Sequence, residues 1–166
     1  MKLSYSKVYT QVGKIAYNRN TGRKGGVVNV LTAEELLLEG ERMIGDYNLE
    51  IARWHNDHWA TTIPPLYAIL TDHRLILQPH TRKRHDPAII PASYISRVQD
   101  IDEGNRFIVV LHLKNDQKIS MFIPKRQHTE IMRNLRTVTA PNAPRKFEVR
   151  LDLGSLKKLI EFVSDL

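Results

Sequence analysis

The stretch Leu66–Leu77, LYAILTDHRLIL, predicts the architecture of the domain around it. Two apolar runs, Leu66–Leu70 and Leu75–Leu77, lie on either side of the polar tetrapeptide Thr71–Arg74. Short aliphatic runs that are bounded by turn-forming residues are typical of buried strands. An aspartate within the tetrapeptide favours a turn because its side chain can bond to the nearby backbone. We therefore predict two core strands joined at residues 71–74.

Segments in which apolar and polar residues alternate predict further strands on both sides of this stretch. A period of two is typical of strands with one buried face. It occurs in Met43–Trp54, in Arg106–Lys114 and in Gln117–Ile123. Because Asn115-Asp116 is a favoured tight-turn sequence, the last two segments are predicted to form a hairpin.

Prolines interrupt two of the remaining segments. Ile89–Arg97 is predicted to be a strand, and Pro91 within it indicates an edge position or a bulge, since proline cannot donate to a ladder. Residues 55–65, HNDHWATTIPP, are mostly polar and end in two prolines, so we interpret them as a loop. The sequence thus predicts about six to seven strands.

Helical signals occur at two places in this part of the chain. Thr32 followed by Glu35 forms a capping box, which predicts a short helix over Ala33–Glu39. Lys125–Val138 has apolar residues at i, i+4 and i+7, which predicts an amphipathic helix with a basic opposite face. The second helix follows the last predicted strand and is expected to cap the sheet.

The C-terminal residues are predicted to form an appended unit. Pro141 and Pro144 indicate a linker, after which Phe147–Leu151 alternates like a short strand. Ser155–Val163 is amphipathic and predicts a last helix. A helix this short cannot bury its apolar stripe alone, so we expect it to pack on the domain or on a partner.

The composition of the chain limits the classes of protein to which it can belong. The chain has 166 residues and no cysteine, which excludes disulfides and thiolate metal sites and is consistent with the cytoplasm. No apolar run approaches the roughly 20 residues of a spanning helix, and the N-terminus has no secretory apolar region. Residues 1–30 hold six of the 25 basic residues and none of the 18 acidic ones, so the remaining chain is nearly neutral. We expect a basic arm over 1–30, a domain over 31–140 and an extension over 141–166.

Two motifs resemble the pleckstrin-homology-like (PH-like) superfold, in the variant seen in GRAM and bacterial PH domains. They are Glu39-Gly40-Glu41 before the first strand and Leu70–Leu77 (LTDHRLIL), with a weaker likeness in Ile89–Val98 (IIPASYISRV). The resemblance covers roughly residues 34–138. It implies an α+β, mainly β fold, a strongly bent antiparallel barrel or sandwich capped by a helix. The implied activity is that of a non-catalytic binding module, and residues 55–62 lack the basic residues that inositide-binding members carry in the corresponding loop.

Basic residues provide the leading site hypothesis. The inter-strand loop contains Arg82, Lys83 and Arg84 between two histidines. Each basic side chain near an anionic leaflet contributes about 1 kcal/mol of attraction. The residues that we expect to contact anionic lipid headgroups or a protein partner are Arg82, Lys83, Arg84, Lys14, Arg23 and Lys24.

Other functions stay open from the sequence alone. The C-terminal strand and helix favour a protein-interaction or homo-oligomerisation module, and the basic arm favours weak nucleic-acid binding as a third hypothesis. Trp54 and Trp59 would insert at a membrane interface or pack on a partner if both rings were exposed. His55 and His58 have a metal-ligand spacing but no third ligand nearby, and no catalytic motif or cofactor site is recognised.

Overall fold

The structure, a computed structural model, describes residues 31–81 and 85–164, with the side chains of 62–64 and 162–164 excepted. Its secondary structure consists of three helices and seven strands in this part of the chain: α1 (Ala33–Leu36), β1 (Met43–His55), β2 (His58–Thr71), β3 (Arg74–Pro79), β4 (Ala88–Pro91), β5 (Ile95–Asp102), β6 (Arg106–Leu113), β7 (Lys118–Pro124), α2 (His128–Thr139) and α3 (Leu153–Ser164).

All strand pairs are antiparallel and belong to one sheet with the order β4-β3-β2-β1-β7-β6-β5. The predicted mainly β, antiparallel architecture with a following helix is therefore confirmed. Strands β1 and β2 are the longest, with 13 and 14 residues, and they lie at the centre of the order. The two halves of the sheet meet at β1, which pairs with β7 only at Glu50 and Ile51.

The inner face of the sheet forms the main core, and α2 closes it. Helix α2 contributes four buried side chains, α3 contributes Leu156 and Leu159, and most of the others lie on the strands, including β1. Full burial of these aliphatic side chains stabilises the fold by about 1.5–3 kcal/mol each. The helix residues in this core are Ile131, Met132, Leu135 and Val138.

A second, smaller apolar cluster lies on the outer face of the sheet. It consists of Ala52, Ile108, Val110 and Phe122, with the partly buried Trp59 and Ile101 packed against them. Alternation along β6 explains both clusters, because Val109 and Leu111 point into the main core while their neighbours point outward.

The predicted loop over residues 55–65 is wrong. Asn56 and Asp57 form a two-residue turn with φ of 45° and 61°, and β2 already begins at His58. Positive φ at both positions is typical of the type I′ hairpin turn, whose twist suits the strands on either side. Residues 63–65 oppose Glu50 alone at a register shift, so Pro64 and Pro65 lie at a bulge and not at a strand start.

The strand predicted over Ile89–Arg97 is two strands. A single 3₁₀ turn, Ala92–Tyr94, separates β4 from β5, and these two strands form the opposite ends of the sheet order. Pro91 is the last residue of β4, and β4 lies at one edge of the sheet. The edge position that Pro91 indicated is therefore observed. The bend at this turn sends the chain from one half of the sheet to the other.

The strand predicted over Phe147–Leu151 is not formed: residues 145–152 have no regular secondary structure. The last helix is longer than predicted, and its Leu156 and Leu159 are buried in the main core against β4. Of the apolar stripe of α3, Leu156 and Leu159 are thus covered within the chain, and Ile160 packs against the same core. The division into an arm, a domain and an extension stays a prediction.

Candidate functional site

The two motifs that carry the resemblance contact each other directly. The Arg74 guanidinium bonds to both carboxylate oxygens of Glu41, at 2.8 and 2.9 Å, and both side chains are almost fully buried. The Thr71 hydroxyl donates to the same carboxylate at 2.6 Å. Burial alone would raise the pKa of Glu41, but hydrogen bonds from Arg74, the Leu38 amide and Thr71 outweigh it and hold that pKa below its ordinary value.

We call residues Thr71–Arg74 the signature turn. Its Asp72 binds the incoming chain, since its carboxylate accepts from the Arg42 amide at 3.0 Å and its own amide donates to the Arg42 carbonyl at 3.0 Å. Burial of Asp72 would raise its pKa, but the bonds from Arg42 and His73 lower it below the ordinary value. This half of the turn anchors the segment that enters β1.

The other half of the signature turn binds the C-terminal segment. His73 is buried, and its Nε2 accepts from the Lys146 amide at 3.0 Å while its Nδ1 lies 2.7 Å from Asp72. The imidazole stacks on the Phe147 ring with centroids 3.9 Å apart. Each of the four side chains of this turn bonds to another part of the chain, so we assign the motif a structural role.

The core between the sheet and α2 is closely packed. The void among the inward-facing side chains, between Tyr47 on β1 and Ile131 on α2, measures about 10 Å³. This is at the lower limit of the space that one water molecule needs. A ligand therefore does not fit among these side chains.

The far end of the β1–β2 hairpin presents the most exposed aromatic side chain among the described residues. We call residues Trp54–Trp59 the hairpin tip. Trp54 is 59% exposed, and its ring contacts the Trp59 ring edge-on at a centroid distance of 5.3 Å. The His55 and His58 rings form the next cross-strand pair, 6.5 Å apart. The condition set for the two tryptophans, that both rings are exposed, is met by Trp54 but not by Trp59, which packs on the outer-face cluster.

The structure does not test the six basic residues predicted to bind a ligand. Lys14, Arg23 and Lys24 lie outside the described residues, as do Arg82, Lys83 and Arg84. Part of the basic side of α2 contacts the sheet: Asp100 on β5 accepts from Arg136 at 3.1 Å and from His128 at 2.8 Å. That part of the helix's basic face binds the domain itself.

Sequence reasoning missed a set of cations on the outer face of β5–β7. Arg97 lies directly opposite His112, and His112 lies directly opposite Lys118. Burial, together with the charges of Lys118 and Arg97, holds the pKa of His112 below its ordinary value. The three residues are far apart in sequence, so only the strand register brings them together.

Within the described ranges, no three His, Cys, Asp or Glu side chains lie close enough to hold a metal ion, and the two histidines of the hairpin tip have no third partner of this kind. None of the described helices is long and apolar enough to cross a membrane.

Comparison with known proteins matches no family model and no curated protein. Three solved structures with similar folds are the N-terminal PH domain of Vps36 (14% identity, TM-score 0.49, 67% of this chain and 89% of that chain), the C-terminal domain of an unknown protein from Leishmania infantum (14%, 0.40, 58% and 86%) and a structure of the Vav1 exchange factor with its PH and C1 domains (17%, 0.46, 84% and 35%).

Proposed function

We propose that the protein is a non-catalytic binding module that docks on an anionic membrane surface through the hairpin tip. In this proposal Trp54 enters the interfacial region of the bilayer. The basic residues predicted from the sequence attract the anionic headgroups from the loop over 82–84 and from the arm. A protein partner with an anionic surface is the alternative occupant of the same side chains.

The observation that carries the proposal is the position of Trp54. A tryptophan at the end of a hairpin exposes a large apolar ring that has a polar N–H at its edge, which suits the boundary between headgroups and acyl chains. The hairpin tip is mechanically supported, because the ladder between β1 and β2 continues through Trp54 opposite Trp59 to His55 opposite His58. The closely packed core gives a second reason, since a ligand does not fit among its side chains.

In this proposal the attraction of the basic residues to the membrane adds to the interfacial preference of Trp54. Three loop cations supply about 3 kcal/mol of attraction to an anionic leaflet, which falls as salt screens them. The interfacial preference of one tryptophan is too small to anchor a protein alone, so both terms are required. The proposal therefore expects weak, reversible and salt-sensitive binding.

Co-sedimentation of the full chain with neutral and anionic vesicles tests the proposal. The wild type is expected to pellet with anionic vesicles and to stay in solution with neutral ones. Trp54→Ala should reduce pelleting, as should charge reversal at Arg82, Lys83 and Arg84. Leu153→Ala is the matched control, because Leu153 is 57% exposed and lies away from the hairpin, at the start of α3.

Equal pelleting of Trp54→Ala and the wild type would refute the role of the hairpin tip. Equal pelleting of the loop variant would refute the role of residues 82–84. Absence of the wild type from both pellets would refute membrane binding and leave binding to a protein partner as the proposed function.

The rival function, oligomerisation through the C-terminal unit, has lost its main structural basis. Residues 147–151 form no strand that could pair with a sheet edge, and α3 buries Leu156 and Leu159 in its own domain. Homodimer formation and nucleic-acid binding through the arm remain predictions from the sequence.

A further inference from the structure

Three basic side chains form a row across the outer face of β5, β6 and β7. We call Arg97, His112 and Lys118 the basic row. Directly opposite residues of antiparallel strands have Cβ atoms about 4.5–5.5 Å apart, so the row is about 10 Å long. Arg97 and Lys118 are exposed, and His112 is half-buried between them. The sheet register thus holds two exposed cations at the surface, with a histidine between them.

The row has no carboxylate partner among the described residues. The outward positions of β5–β7 that accompany it are Gln99, Ile101, Ile108, Val110, Ser120 and Phe122, and none is acidic. Two nearby cations are paired: Arg106 on β6 lies 3.5 Å from Glu50, and Arg136 on α2 lies 3.1 Å from Asp100 on β5. A bound anion would supply the counter-charge that Arg97 and Lys118 lack among the described residues.

The shape of the row restricts the anion. The backbone positions of Arg97 and Lys118 are about 10 Å apart, so an elongated anion can pair with both cations without their side chains bending toward each other. In an extended peptide, side chains on one side recur about every 6.7 Å, so two or three carboxylates cover the row. Beside the row, Gln99 is already bonded to His112, with Oε1 and Nε2 3.3 Å apart, and Ser120 is a polar group that a peptide backbone could contact.

We infer that the basic row is a docking site for an extended acidic segment of a partner protein. The segment lies across the outer face of β5–β7, with its carboxylates on Arg97 and Lys118 and with His112 between them. This site is separate from the membrane contact proposed above and does not depend on it.

Fluorescence anisotropy at low ionic strength tests the inference with the full chain. The probe is a labelled octapeptide of alternating Glu and Thr, and the reference probe has Gln in place of Glu. The Glu probe is expected to bind and the Gln probe to bind at least roughly fivefold more weakly, as expected for the loss of exposed ion pairs. Perturbation of the His112 ring signals in NMR spectra should accompany binding of the Glu probe.

Variants assign the site. Arg97→Gln/Lys118→Gln should weaken binding of the Glu probe roughly tenfold, because two exposed ion pairs are lost. Arg126→Gln/Arg133→Gln is the matched control, since it removes two exposed cations and leaves the same net charge. Trp54→Ala should leave peptide binding unchanged, which separates this site from the hairpin tip.

Three results would overturn the inference. The first is equal loss of binding in the row variant and in the charge-matched control, which would indicate non-specific attraction. The second is a Glu probe that binds no better than the Gln probe. The third is stronger binding through Arg97 and Lys118 to inorganic polyphosphate or to phosphatidylglycerol vesicles than to the peptide, which would assign the row to phosphate groups.

Discussion

The two turns at the ends of β2 have the same length and opposite environments. Asp72 and His73 connect β2 to β3, and Asn56 and Asp57 connect β1 to β2. In the first turn the side chains bind segments from both ends of the domain, through Arg42 and Lys146. In the second turn all the residues from Trp54 to His58 are exposed.

This difference shows that the residues of the recognisable sequence motif are not the residues whose side chains are available at the surface. The residues that make the chain resemble a PH-like domain are those that hold its segments together, so they leave nothing free for a ligand. The hairpin tip carries no comparable motif, yet it presents a large aromatic side chain to solvent. The hairpin tip and the outer face are therefore better candidates for a binding surface than the signature turn.

The largest effect is expected from breaking the buried ion pair of the signature turn. Arg74→Ala removes a bidentate partner from Glu41 and leaves a buried carboxylate without its counter-charge. Loss of one partner of a buried pair typically costs about 3–5 kcal/mol of unfolding free energy. Urea unfolding measures this quantity, and liposome binding of any fraction that remains folded should be unaffected.

Lys157→Ala is the control for that experiment. Lys157 and Glu161 form an exposed i,i+4 pair on α3, which is expected to contribute no more than about 0.5 kcal/mol. A cost for Arg74→Ala as small as that of Lys157→Ala would contradict the structural role assigned to the signature turn.

A smaller effect is expected from releasing the C-terminal segment. Phe147→Ala removes the ring that stacks on His73, and we expect a loss of about 1–3 kcal/mol because Phe147 is only half-buried. Hydrogen exchange should show the loss first in residues 145–164, which includes α3. Lys146→Ala keeps the backbone amide that bonds to His73, so it should leave exchange in this segment unchanged; equal loosening in both variants would contradict the stacking argument.

The sequence predicted the elements whose signals are local. The alternation in Arg106–Lys114 and the turn at Asn115-Asp116 give β6, β7 and their hairpin, and the capping box of Thr32 and Glu35 is present. These signals lie within one element, so neighbouring residues are sufficient to identify them.

Features that depend on distant pairing were missed or mistaken. Residues 55–65 contain two prolines and many polar residues, yet pairing with β1 extends the strand through them and accommodates the prolines at a bulge. Phe147–Leu151 alternates like a strand, but in the structure Phe147 stacks on His73 and no sheet edge takes up the segment. The basic row could not be predicted either, because cross-strand register is not encoded in any one segment.

Replacing the aspartate of each turn with glycine compares the two turns directly. Asp57→Gly places glycine at a φ of 61°, where it is favoured over other residues, so the unfolding free energy should stay constant or rise by less than about 1 kcal/mol. Asp72→Gly removes the acceptor of the Arg42 amide and the partner of His73 and should cost about 1–3 kcal/mol. Urea unfolding of the two variants side by side measures the difference. Equal costs would mean that the environments of the turns do not determine their roles, whereas the expected opposite outcomes would locate stability at one end of β2 and leave the other end free for binding.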